Sequence, residues 1–174
     1  ALNSLLKANE LNPNEPEILN NLAMAYYFKG QTDLAITTLN RTLELDHKNS
    51  DARTNLASIL YRQGDVSKAV ELYNVVLKDL TYEKQARTYF NLATIELNHY
   101  KNTKKAVNYL NRAVKEDENF CPAYTVLGKL YYDRGHLQTA LNNFRSAAMG
   151  VCYNDPAPHY LTALTLLKLN RFDE

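Results

Sequence analysis

The chain has 174 residues, a net charge of +1 and a hydrophobic content of 45%. Its basic and acidic residues are mixed along the sequence, so no clustered basic face exists to hold phosphates, and nucleic acid is excluded as the main partner. No apolar run approaches the roughly 20 residues of a membrane span, so these residues are expected to make no direct membrane insertion.

Amphipathic periodicity predicts ten helices in chain order, at about 1–10, 15–29, 31–45, 49–63, 65–79, 84–98, 102–116, 120–134, 136–149 and 156–169. Gly30, Gly64 and Gly135 each fall between two amphipathic stretches, where a left-handed residue ends a helix at low cost. Asp65 follows Gly64 as the N-cap of the next helix. Pro13, Pro16, Pro122, Pro156 and Pro158 lie between units or in a first helical turn, where proline is tolerated.

A ruler runs through these helices. Thirty-four residues separate Ala1 from Ala35, Ala35 from Ala69, and Ala106 from Ala140; Ala69 to Ala106 is 37. A small residue recurs upstream of each internal alanine, at Ala23, Ala57, Ala93 and Gly128, and a leucine precedes each one, at Leu22, Leu56, Leu92 and Leu127. A period of 34 marks stacked helix pairs. Two small residues facing each other let the axes of a pair approach closely. Tyr26, Leu60 and Tyr131 on the first helices and Leu39, Tyr73, Leu110 and Phe144 on the second fill the space around that crossing.

The stretch AYTVLGKLYYDRGHLQTALNNFRSAA, from Ala123 to Ala148, resembles the tetratricopeptide repeat. Tyr124, Leu127, Gly128, Tyr131, Gly135, Ala140, Phe144 and Ala147 supply that family's pattern, and Pro13 matches its terminal proline. Arg53 departs from it, as do His159 and Thr162 in the last helix, which leaves the register of that helix open. The resemblance implies an all-α fold, a right-handed superhelical solenoid of antiparallel helix pairs. The expected organisation is a single array over 1–174. Residues 1–14 form the second helix of a partial repeat. Full repeats follow at 15–49, 50–83, 84–119 (with insertions) and 120–154, and 155–174 holds the first helix of a truncated repeat. Solenoids normally end in a polar cap, and the leucine-rich last helix lacks one. A piece of a longer repeat protein is expected, with self-association through the uncapped C-terminal helix as a candidate contact.

No catalytic constellation emerges. His47, His99, His136 and His159 lie in different units without metal-ligand spacing, and are expected to be exposed turn or helix-end residues. There is no Gly-rich phosphate loop and no nucleophile signature. The expectation is a chain that is not an enzyme and holds no cofactor and no metal.

The resemblance implies that the first helices line a concave groove. The matching positions are Asn20, Met24 and Tyr27; Thr54, Ser58 and Tyr61; Phe90 and Thr94; Thr125, Lys129 and Tyr132. This lining is neutral, polar and aromatic, with Lys129 its only charge, and tyrosine offers area plus a hydrogen bond at low entropic cost. A protein or peptide segment is the expected occupant. The lysine and asparagine clamp of the family's chaperone-tail adaptors is absent from these positions. Asn21, Asn55 and Asn91, one residue over, are expected to bond between adjacent repeats.

Two further readings concern context. Cys121 opens a first helix and Cys152 follows the second helix of the same hairpin, so the two points fall at one end. They are a candidate disulfide, with two separate half-buried thiols as the other reading, because an even count permits bridging without implying it. The interruption around Thr81–Lys84 and His99–Tyr100, followed by Ala-Arg-Thr-Tyr-Phe-Asn-Leu-Ala from Ala86, is similar to the periplasmic tetratricopeptide lipoproteins of type IV pilus assembly. That implies a bacterial envelope factor at the inner face of the outer membrane. The alternatives are a cytoplasmic signalling adaptor docking a small GTPase or a polarity regulator, and the regulatory array of a larger enzyme.

Overall fold

The computed structural model describes residues 2–171 and divides into two compact units, Ala1–Glu83 and Lys84–Glu174. The expectations for Ala1 and for residues 172–174 lie outside the described residues. The first unit holds α1 (Leu2–Leu11), α2 (Pro16–Phe28), α3 (Thr32–Leu45), α4 (Ser50–Arg62) and α5 (Val66–Val76). The second holds α6 (Gln85–Asn98), α7 (Thr103–Glu116), α8 (Cys121–Asp133), α9 (Leu137–Ala147) and α10 (Pro156–Lys168), with one 3-10 turn at Gly150–Cys152. The fold is all-α, and α2 packs on α3, α4 on α5, α6 on α7 and α8 on α9.

In the first unit, α2 begins with Pro16 at its first position and ends where Gly30 turns left-handed at φ 78°. The same device ends α4 at Gly64, φ 92°. The Asn49 side chain caps α4 by accepting from Ala52 N at 2.8 Å, and Asp65 caps α5 by accepting from Lys68 N. These bonds answer donors that a helix start leaves unpaired. The core forms where the small residues meet: Ala23, Ala35, Ala57 and Ala69 are wholly buried, with Leu39 and Tyr73 filling the space beside them. The segment after α5 is tied back to the start of α4. Ser50 Oγ donates to Asp79 Oδ2 at 2.7 Å, and Tyr82 Oη donates to Asp51 Oδ1 at 2.9 Å. The Ser50 hydroxyl, then that of Thr81, holds the Asp79 carboxyl below its ordinary pKa.

The second unit repeats this logic with changes. Ala93, Ala106, Gly128 and Ala140 sit at the crossings, against fully buried Leu110 and Phe144. Between α6 and α7 the turn is longer by one residue, and Lys101 rather than glycine takes the left-handed conformation, at φ 55°. Asn102 then caps α7 through Lys105 N. Glu96 is buried on α6 and ion-pairs with Lys105 of α7 at 2.5 Å, which raises the lysine's pKa. The structure joins Cys121, at the start of α8, to Cys152, in the turn after α9, with a Cα–Cα distance of 6.3 Å. All four histidines are exposed.

Candidate functional site

Residues at i, i+4 and i+7 share one face of a helix, and the groove positions that the resemblance implies have that spacing. In the first unit they fall on α2 and α4. Asn20 is half-buried, and its Oδ1 accepts from Asn55 Nδ2 at 2.9 Å, a bond between neighbouring helix pairs. Asn55 therefore has the inter-repeat role expected of it. Met24 and Tyr27 are half-buried and pack against the core cluster of Ala23, Leu39 and Leu56. Met24 also borders an apolar recess of about 450 Å³ with Leu2, Leu5 and Phe28.

On α4 the polar positions turn inward. Thr54 is fully buried, so it offers a partner nothing in this structure, and its Oγ1 has no hydrogen-bond partner among the described residues. Ser58 Oγ donates to Thr54 O at 2.9 Å and lies 2.8 Å from the Tyr73 hydroxyl. Tyr61 is half-buried at the last turn of the helix.

In the second unit the positions fall on α6 and α8. Phe90 stands edge-on to Phe120, with ring centroids 5.6 Å apart. Thr94 Oγ1 donates to Phe90 O and Thr125 Oγ1 to Cys121 O, each at 3.0 Å. Both hydroxyls are thus spent on their own helix backbone. Lys129 is exposed, and Tyr132 is half-buried.

One set of residues was missed. Lys168 of α10 places its Nζ 4.4 Å from the centroid of the Tyr132 ring. The signal was a spacing of 35: Asn170 is left-handed at φ 57°, 35 residues after left-handed Gly135. The same offset carries Thr125, Lys129 and Tyr132 onto Tyr160, Leu164 and Leu167. Tyr160 and Leu167 are 67% and 56% exposed. The face that is polar on α8 is therefore apolar on α10.

Comparison with known proteins adds the lineage of this geometry. Residues 20–84 match the family model described as "Tetratricopeptide repeat". The BBSome complex member BBS4 of Bos taurus is 25% identical over 150 residues, covering 86% of this chain and 28% of that one. The chain spans less than a third of the length of the curated relatives it matches. Among solved structures, PilW, described as a widely conserved type IV pilus biogenesis factor, has a TM-score of 0.75 at 18% identity, over 97% of this chain and 76% of that one. YrrB, described as a protein of this repeat type with an unusual peptide-binding site, has a TM-score of 0.65 at 21% identity, over 99% of this chain and 87% of its own.

Proposed function

Residues 20–84 match the tetratricopeptide repeat, and from that premise we propose that the chain is a non-enzymatic scaffold holding a protein partner along its first-helix faces. The observation that carries this reading is the recurrence of a half-buried tyrosine at the last turn of a first helix, at Tyr27, Tyr61 and Tyr132. A side chain left partly open at the same place in three repeats offers ring area and a hydroxyl to a neighbour. Repeat proteins of this kind bind peptides and proteins, and a peptide-binding site is what YrrB is described as having. The test is Tyr61→Ala and Tyr132→Ala, read as partner binding beside thermal stability. Loss of about 2 kcal/mol or more of affinity at either position marks an anchor. If binding survives these and is lost on substituting Lys104 or Asn108 of α7, the partner lies on the second helices instead.

Within this function a bacterial envelope role, in type IV pilus assembly, is favoured over a cytoplasmic signalling adaptor or the regulatory array of an enzyme. The Cys121–Cys152 bridge supports it, because structural disulfides persist in oxidising compartments such as the periplasm. The interruption of the period at Thr81–Lys84 supports it too. The likeness to PilW supports only the fold. Thiol titration of protein taken from its native compartment tests this: two free thiols there would return the choice to the adaptor.

A further inference from the structure

We propose that, in the second unit, the joint face of α8 and α10 receives an acidic side chain of the partner between Lys129 and Lys168, with a neighbouring apolar side chain seated on Tyr160, Leu164 and Leu167. This rests on the first-helix faces being the partner surface and gives that surface a chemistry.

The two cations flank one ring. Lys168 reaches from the last turn of α10 to the Tyr132 ring of α8, with its Nζ 4.4 Å from the centroid. Lys129 lies three residues before Tyr132 and is its neighbour on the helix surface. Among the described residues neither lysine pairs with a carboxylate. Helix α10 contains no acidic residue between Pro156 and Lys168, and α8 contains one, Asp133. A carboxylate placed here would meet two exposed ammonium groups beside an aromatic ring, and hydrogen bonds between such charged groups are stronger than neutral ones.

The apolar half follows from α10 itself. Tyr160, Leu164 and Leu167 recur at i, i+4 and i+7, and Lys168 lies one turn from Leu164. Exposed apolar stripes rimmed by charge mark interaction surfaces. Two lysines are too few to track a phosphate backbone, which needs a longer run of cations. A second copy of the chain, docked by two-fold symmetry through this stripe, would present the same patch, and α10 has no acidic residue between Pro156 and Lys168 to meet the lysines. An acidic–apolar segment of another protein meets neither objection.

The experiment pans a phage-displayed library of random twelve-residue peptides on the full chain. The best peptide is then measured by fluorescence anisotropy. The expected winners carry Asp or Glu within three positions of Leu, Ile, Phe or Tyr. Replacing that acid by its amide weakens binding about tenfold, and the K129Q/K168Q double variant removes the difference between acid and amide. Salt at 0.5 M does the same, because exposed pairs are screened. Circular dichroism confirms that the exposed Lys→Gln changes leave the helices intact. Winners without an acid, or a preference for acid that survives K129Q/K168Q, overturn the proposed chemistry. In that case the first-helix reading stands as long as Tyr61→Ala or Tyr132→Ala still weakens the peptide. If neither tyrosine change matters, both readings fail. Failure to enrich any peptide, with a concentration-dependent dimer abolished by Leu167→Asp, makes the occupant a second copy and also overturns the proposal.

Discussion

Gly128→Ala is expected to destabilise the chain although it adds a better helix former. A Cβ built at Gly128 lies 2.4 Å from Phe144 Cε1, 2.5 Å from Cδ1 and 3.0 Å from Cζ. Carbon atoms prefer about 3.5–4.0 Å, so the ring must retreat by roughly 1 Å. It has nowhere open to go, because Phe144 is fully buried and Ala140 and Leu141 on the same helix are too. Overpacking of this kind costs about 1–3 kcal/mol. Replacing glycine by alanine within a helix returns about 1 kcal/mol. The net is a loss of about 1 kcal/mol, or roughly 2–4 °C in Tm for a chain of this size. Urea denaturation followed by circular dichroism measures it. The informative control is Phe144→Leu, which shortens the obstacle. In that background Gly128→Ala should become stabilising, giving a coupling of about 1 kcal/mol or more between the two sites. A gain of about 1 kcal/mol for Gly128→Ala in the parent chain would refute the steric account and leave helix propensity in charge.

Three further perturbations follow from the same structure. Lys101→Gly should stabilise by about 1 kcal/mol, because a left-handed lysine is strained and glycine is not; a loss of stability would mean that the lysine side chain compensates. Opening the Cys121–Cys152 bridge with reductant, or by Cys152→Ser, frees a loop of 31 residues and should cost about 3–4 kcal/mol, read as a shift of the urea midpoint; no shift would remove the bridge from the folded state. The Asp79 carboxyl is held below its ordinary value of 3.8, so its contribution is present above that pH and is lost as pH falls through the folded value. Asp79→Asn should therefore lower stability at pH 6 and flatten its decline between pH 5 and 2, and an unchanged decline would place the acid sensitivity elsewhere.

The periodic part of the fold was legible because it is decided by residue size. Alanine or glycine at each crossing, a leucine before it and glycine at Gly30, Gly64 and Gly135 locate the helices to within a few residues. The exceptions have local causes. Residues 77–79 were expected within the fifth helix, which ends at Val76, because the Asp79 side chain is committed to Ser50 and Thr81. Lys101 in a left-handed turn gives no sequence signal, since lysine is unremarkable in a loop. The candidate site was legible in position but not in orientation. Spacing places Thr54, Ser58, Thr94 and Thr125 on chosen helix faces. It does not reveal that Thr54 is buried or that the other three hydroxyls bond the carbonyl four residues earlier. Lys168 went unseen because the register of the last helix was open at His159 and Thr162, and left-handed Asn170, standing where Gly30, Gly64 and Gly135 stand in three earlier repeats, closes it.

These orientations change what the first-helix faces can recognise. With Thr54 buried and the Ser58 hydroxyl bonded to the Thr54 carbonyl, a partner over the first unit meets the half-buried Met24, Tyr27 and Tyr61 together with Asn20, whose Oδ1 is already bonded to Asn55. Contacts of that kind come from buried area and tyrosine hydroxyls, and they respond little to salt. The second unit adds Lys129 and Lys168, whose attraction for an acid is screened as ionic strength rises. A partner touching both units should therefore show an affinity with two parts, one constant and one falling with salt. Tyr61→Ala should lower the constant part and keep the salt slope, whereas K129Q/K168Q should flatten the slope. Measuring both variants across 0.05–0.5 M salt separates recognition by area from recognition by charge, and a slope that disappears with Tyr61→Ala would show that the charged contact lies in the first unit instead.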